Sequence, residues 1–188
     1  MDNDSLNRLL NDDRQRQYWL KAVGPPGDDS NYNRPVTFTF TDAVLKTHFT
    51  KRQLGRSVIE NITDGDILIA YWTGIKKLIY VAECQGGIHR ASPEDIQREK
   101  ASGRDRWCLY WSGINLTPQY GEQWHMHKIY PWKTARHAFL EDYEKMLQYI
   151  RAARHGIAPI SQEFAKCLIM QIAGLSISQP EHKPLVNG

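Results

Sequence analysis

Residues 59–87 read IENITDGDILIAYWTGIKKLIYVAECQGG. Asp64-Gly65-Asp66 is a turn signal, and the apolar run Ile67 to Trp72 follows it directly. Thr73-Gly74 then opens a reversal, and Leu78 to Cys84 forms a second run rich in β-branched and aromatic residues. The stretch predicts a turn, a strand, a tight hairpin and a second strand. It holds no catalytic signature, and strand pairs of this kind line small β-barrels that bind rather than react.

Working outward, Gln17 to Val23 (QYWLKAV) reads as an earlier strand, stopped by Gly24-Pro25-Pro26-Gly27. Residues 1–16 read as a short, loosely packed helical arm. Asp28 to Arg34 is a polar loop, and Pro35 to Phe40 (PVTFTF) is a candidate strand. Thr41 or Asp42 is placed to cap a short helix running through Lys46. On the C-terminal side, Ser92-Pro93-Glu94-Asp95 combines a capping hydroxyl, a proline suited to the first helical turn and two acids. The helix it starts ends near Gly103. Arg106 to Ser112 (RWCLYWS) reads as a strand with Trp107, Leu109 and Trp111 on one face and Cys108 and Tyr110 on the other. A turn at 117–121 leads to a last strand, Gln123 to Tyr130. The helical period of Ala138, Phe139, Tyr143, Met146, Leu147 and Ile150 predicts a helix over 135–155, and Pro159-Ile160-Ser161 starts another.

The chain has 188 residues, 41% hydrophobic and 24% charged, which suits one globular domain with a full core. No run approaches a membrane span. The acidic, polar opening MDNDSLNRLLNDDRQRQ has no apolar segment of the secretory kind, so a cytoplasmic location is expected. Cys84, Cys108 and Cys167 are odd in number and widely spaced, which indicates neither a disulfide framework nor a zinc site. The net charge is +3, but positive charge gathers locally. From Ala43 to Ile59 no acid occurs, while Lys46, His48, Lys51, Arg52 and Arg56 do.

Tyr18-Trp19, Gly65-Asp66, Tyr71-Trp72 and Ala82-Glu83, in that order and setting, resemble the motifs of the EVE domain. That domain belongs to the PUA-like superfamily, which also holds the YTH readers of methylated RNA. The resemblance spans residues 17–150. It implies an α+β fold: a twisted, mostly antiparallel β-barrel flanked by helices, here with a C-terminal helical extension at 151–175 and a flexible tail at 176–188. It also implies recognition of a modified base in DNA or RNA, within a pocket enclosed by aromatic rings. The chain departs from the family pattern after Val23, where a long polar link replaces a short one.

Six tryptophans and nine tyrosines supply flat rings, and a stacked ring holds a base with about 1–3 kcal/mol. Trp19, Trp72, Trp107 and Trp111 sit at strand ends or on one strand face and are the candidate pocket rings. Ser112 and Asn115 follow the Trp111 strand end and are the candidate base-edge contacts, with turn formation as their structural alternative. Lys51, Arg52, Arg56, Lys76, Lys77, Arg104 and Arg106 are the candidate backbone grips. A non-catalytic nucleic-acid-binding module, without metal or cofactor, is the leading expectation. One alternative is a small metal-dependent hydrolase or nuclease. His125 and His127 share one face of a strand, with His89 or His137 available as a third ligand. The other is a protein-protein interaction module, dimerising through its aromatics and the helix over 135–155. No phosphate-binding loop, nucleophile elbow or His-Glu-x-x-His motif occurs.

Overall fold

A computed structural model describes residues 4–23, 42–49, 58–72, 77–94, 97, 109–118, 139–144 and 157–172. Helix α1 (Asp4–Leu10) precedes strand β1 (Tyr18–Val23). Strands β2 (Val44–Phe49), β3 (Ile67–Trp72), β4 (Lys77–Arg90), β5 (Leu109–Asn115) and β6 (Ile157–Ile160) follow, with a 3-10 turn at Val58–Asn61. Helix α2 (Gln162–Ile172) closes the described chain.

The six strands form one sheet in the order β2-β5-β4-β3-β1-β6. Only β1 and β3 run parallel; the other pairings are antiparallel. The α+β class and the mostly antiparallel sheet are as the sequence implied. Closure into a barrel is not: β2 and β6 stand at opposite ends of the described sheet and do not pair.

Alternation sorts the apolar residues into two cores, one on each face. Tyr18 and Leu20 of β1 and Ile67 and Ile69 of β3 join Leu6 and Leu9 of α1 and Phe164 and Leu168 of α2 on the outer face. Trp19, Leu68 and Ala70 point the other way, to the inner face, with Phe49, Ile59, Tyr80, Cys84 and Trp111. Strands buried on both sides read as continuous apolar runs, which explains the unbroken ILIAYW of β3. The N-terminal arm is thus no loose appendage, because Leu6 and Leu9 are core residues.

Three local expectations are corrected. The segment after Asp42 is strand β2, not a helix. Leu45, Thr47 and Phe49 alternate into the interior, and six residues pair with β5 from Val44↔Ile114 to Phe49↔Leu109. Residues 157–160 form β6 rather than the start of a helix. Pro159 is tolerated there because β6 is an edge strand in the described sheet. Helix α2 begins just after it, where the Ser161 hydroxyl accepts the Phe164 N–H at 3.2 Å as a cap. Strand β4 continues past Cys84 to Arg90, through an irregularity between Cys84 and Ile88. Residues 140–144 are helical, and so are Pro93 and Glu94, within the segments that the sequence marked. The expected strands at 35–40 and 123–130 lie outside the described residues.

The Asp64-Gly65-Asp66 turn ties these parts together. Gly65 has φ +82°, the left-handed region that glycine enters at little cost. Its N–H donates to the Cys84 carbonyl at 3.0 Å, and the Cys84 N–H donates to the Asp66 carbonyl at 2.8 Å. The buried Asp66 carboxylate accepts from the Thr63 N–H (2.9 Å), the Trp19 indole (3.0 Å) and the Gln17 N–H (3.3 Å). Arg16, almost wholly buried, donates to the Gly65 carbonyl (2.8 Å), Glu83 (2.9 Å) and Asp12 (2.6 Å). The segment after α1 is thereby clamped onto the turn and onto β4.

Candidate nucleic-acid interface

The candidate rings that the structure describes are interior. Trp19 is 2% exposed, with its indole N–H spent on Asp66. Trp111 is 0% exposed, and its indole folds over Gly113 on the same strand. A Cβ on Gly113 would stand 2.6 Å from the ring, so glycine is what lets the indole lie flat. The two tryptophans belong to one apolar cluster, the inner core. Trp72 ends β3, where it pairs with Val23 and Lys77. Its side chain, all of Trp107, and the side chains of Lys51, Arg52, Arg56, Lys76, Lys77, Arg104 and Arg106 lie outside the described residues, as do His125 and His127.

Asn115 is buried and acts as a fastener. Its amide donates to the Asp42 carbonyl at 3.0 Å, and its carbonyl oxygen accepts the Thr117 N–H at 3.0 Å. Thr117 in turn accepts the Val81 N–H at 2.9 Å, so the end of β5 is locked to β4. Ser112 is half-buried and points to the opposite face from Trp111, in register with Lys46.

The inner face also encloses polar groups. Lys21 is buried, its ammonium 5.7 Å from the centre of the Phe49 ring, and burial lowers it to about 8. The Tyr80 hydroxyl lies 2.7 Å from the Thr47 hydroxyl, and burial pushes it up to about 12. Burial likewise pushes the Cys84 thiol up to about 12, which makes it a poor nucleophile. Among the described residues the Trp111 indole N–H has no nitrogen or oxygen acceptor, and its approach to the Cys84 thiol offsets part of that rise.

The outer face is different at its β2–β5–β4 end. Ile67 is opposite Glu83, Glu83 is opposite Ile114, and Ile114 is opposite Val44. These residues share the face that α1 and α2 cover elsewhere, yet Val44 is 50% and Ile114 40% exposed. Four residues back along β5 from Ile114 stands Tyr110, half-buried, directly across from His89. Their rings stack with centroids 5.4 Å apart and an angle of 29° between planes. The Lys46 ammonium lies 4.8 Å from the centre of the Tyr110 ring. Gly86, in the left-handed region at φ +76°, holds the irregular part of β4 beneath this group. A Cβ there would come within 3.3 Å of His89 Nε2, so the glycine leaves that edge of the imidazole uncovered. Lys46, Tyr110 and His89 thus form a rigid row of cation and flat rings across three strands. Such a row can stack a planar group and attract an anion. Sequence reasoning did not assemble it, although Lys46 lay in the acid-free run and Tyr110 on the strand face opposite Trp111.

No protein-family model matches the chain, and no curated protein matches it. Solved structures do. A hypothetical protein from Leishmania major is 12% identical, covers 85% of this chain and 97% of its own, and superposes with a TM-score of 0.51. Human THYN1 in complex with 5-methylcytosine containing DNA is 14% identical, with 81% and 95% covered and a TM-score of 0.45. The DUF55 domain of human thymocyte nuclear protein 1 is 16% identical, with 82% and 98% covered and a TM-score of 0.46. At these identities the likeness is one of fold. The chain shares the α+β fold of the Leishmania protein, the class of fold that its motifs implied.

Proposed function

We propose that this protein is a non-catalytic module that binds nucleic acid. The observation that carries this reading is the exposed row of Lys46, Tyr110 and His89. Its rings offer a base a stacking surface, and its ammonium offers a phosphate a counter-charge. The remaining outward positions of these strands favour the same ligand. Among the described side chains of β2, β4 and β5 on this face, Lys46 and His89 stand against one acid, Glu83, and that acid is held by Arg16 at 2.9 Å. In this reading a flat base, plain or modified, is gripped at the rings of His89 and Tyr110.

The test is a panel of plain and modified DNA and RNA oligonucleotides at two salt concentrations. Affinity is expected to fall as salt rises, with a slope set by the number of phosphates contacted. His89→Ala, in a protein that still folds, is expected to weaken binding and to reduce any preference for a modified base. Failure to bind any oligonucleotide at low salt overturns the reading.

A further inference from the structure

Successive outward residues of β5 are Tyr110, Ser112 and Ile114. On β2, Lys46 lies opposite Ser112 and Val44 lies opposite Ile114. The exposed face therefore has three steps along the strands. The first is the stacked ring pair of His89 and Tyr110, and the second is the ammonium of Lys46 with the hydroxyl of Ser112. The third is the exposed apolar pair Val44 and Ile114. We propose that this face takes an unpaired, single-stranded segment of nucleic acid. One base stacks on the ring pair, the connecting phosphate sits at Lys46 and Ser112, and the next nucleotide rests on Val44 and Ile114. The proposal rests on the nucleic-acid reading above and names the form of the ligand.

The reason for single strands is geometric. In a duplex each base has both faces covered by its neighbours and shows only its edge in a groove. The exposed imidazole of His89, backed by Tyr110, needs a base whose face is uncovered, as in loops and single strands. The exposed apolar pair has the same preference, because a duplex presents its charged backbone and not an apolar face. Charge favours an anionic ligand over a neutral or basic one, because the phosphate position is met by Lys46 while the adjoining acid, Glu83, is held by Arg16; the rings then favour a base over a peptide carboxylate.

Fluorescence anisotropy with one labelled mixed-sequence oligonucleotide, free and annealed to its complement, tests the proposal. The single strand is expected to bind at least about tenfold more tightly than the duplex. Tyr110→Leu is expected to weaken single-strand binding roughly fivefold to a hundredfold, and Tyr110→Phe, which keeps the ring, to recover most of that loss. Lys46→Gln should flatten the salt dependence by the share of one phosphate, about 0.7 in slope. Ile114→Ser, at an exposed position, carries the test should the Tyr110 variants fail to fold. Duplex binding as tight as single-strand binding overturns the proposal, as do unchanged affinities in folded variants. So does equal competition by heparin, which has charge but no bases. In each of those cases the wild type still binds nucleic acid, so the broader reading survives. A wild type that binds no oligonucleotide removes both.

Discussion

Replacing Gly113 by alanine isolates the packing of Trp111. The new Cβ would meet two ring carbons of Trp111 at 2.6 and 2.7 Å and the Glu83 carbonyl oxygen at 3.0 Å. Carbon atoms settle about 3.5–4.0 Å apart, so the ring must retreat by roughly 1 Å. It has nowhere to go, because Trp111 is wholly buried among Leu45, Phe49, Ile59, Leu68 and Tyr80. Overpacking of this kind costs about 1–3 kcal/mol, and the upper end applies to a ring that cannot rotate outward. Alanine restricts the unfolded chain more than glycine and returns about 0.5–1 kcal/mol. The net loss is about 2 kcal/mol, or about 4–8 °C in melting temperature for a chain of this size. Urea denaturation followed by circular dichroism measures it. Gly65→Ala is the control, since nothing lies within 4 Å of its new Cβ and its cost comes from the backbone at φ +82°. The decisive experiment is the double variant with Trp111→Phe. A smaller ring relieves the contact, so the two changes should compensate by about 1 kcal/mol or more. Trp111→Phe also removes a buried N–H that has no nitrogen or oxygen acceptor among the described residues. A loss below about 0.5 kcal/mol for Gly113→Ala, or strict additivity in the double variant, refutes the reasoning.

Lys21 makes stability depend on pH in the alkaline range. Burial lowers its folded value to about 8 from an ordinary 10.5, so between those limits the unfolded chain binds more protons and stability rises with pH. Lys21→Met should be more stable at pH 7 by about 2–3 kcal/mol and should lack the rise between pH 8 and 9. Above pH 9 the buried Cys84 and Tyr80 act in the opposite sense, so the variant must be compared with wild type at each pH. Asp12 governs the acid side. Hydrogen bonds from Arg14, and then from Arg16, hold its carboxyl far below the usual range. The stability it supplies is complete above about pH 4 and is lost as pH falls below that. Asp12→Asn should flatten the acid limb of a stability profile from urea melts at pH 2–5. Asp66→Ala leaves the Trp19 and Thr63 N–H groups without their acceptor and should cost about 3 kcal/mol in the same assay. Ser161→Ala removes the cap of α2 and the 2.7 Å bond to Asp142, and should cost about 1 kcal/mol.

The elements legible in the sequence are those whose local signals agree with their partners. The Asp64-Gly65-Asp66 turn and the run after it announce β3 because turn chemistry and apolar content coincide there. Strand β2 was hidden by Thr41 and Asp42, which suit a helix cap. Pairing with β5 decided otherwise, and pairing is not encoded within six residues. Strand β6 was hidden by its brevity and by Pro159, a residue that only an edge position accepts. The site followed the same logic. Alternation along β5 correctly separated Trp111 from Tyr110, but not which of the two faces a core and which faces outward. That depends on where α1 and α2 lie, a fact of tertiary structure. The tryptophans, being the larger rings, attracted the functional assignment and proved to be interior at 19 and 111. The row at the surface needs His89 opposite Tyr110, a register that exists only because β4 slips between Cys84 and Ile88.

That slip connects the fold to the site. Were β4 to keep its register with β5 beyond Cys84, the chain would reach Tyr110 at residue 87, a glycine. The irregular stretch at 85–87 delays the chain so that His89 arrives there instead. The stretch is held from below by the Asp64 side chain, which accepts the Gly86 N–H at 2.8 Å. Asp64 belongs to the same turn in which Gly65 bonds Cys84 and Asp66 gathers Trp19, Thr63 and Gln17. One face of the turn therefore organises the inner core, while its neighbouring carboxylate sets the register that carries His89 to Tyr110. The surface ring pair is held in place because its register is fixed by a turn already anchored in the interior. Rigidity of this kind favours stacking on a flat ligand, since less side-chain freedom remains to be lost on binding.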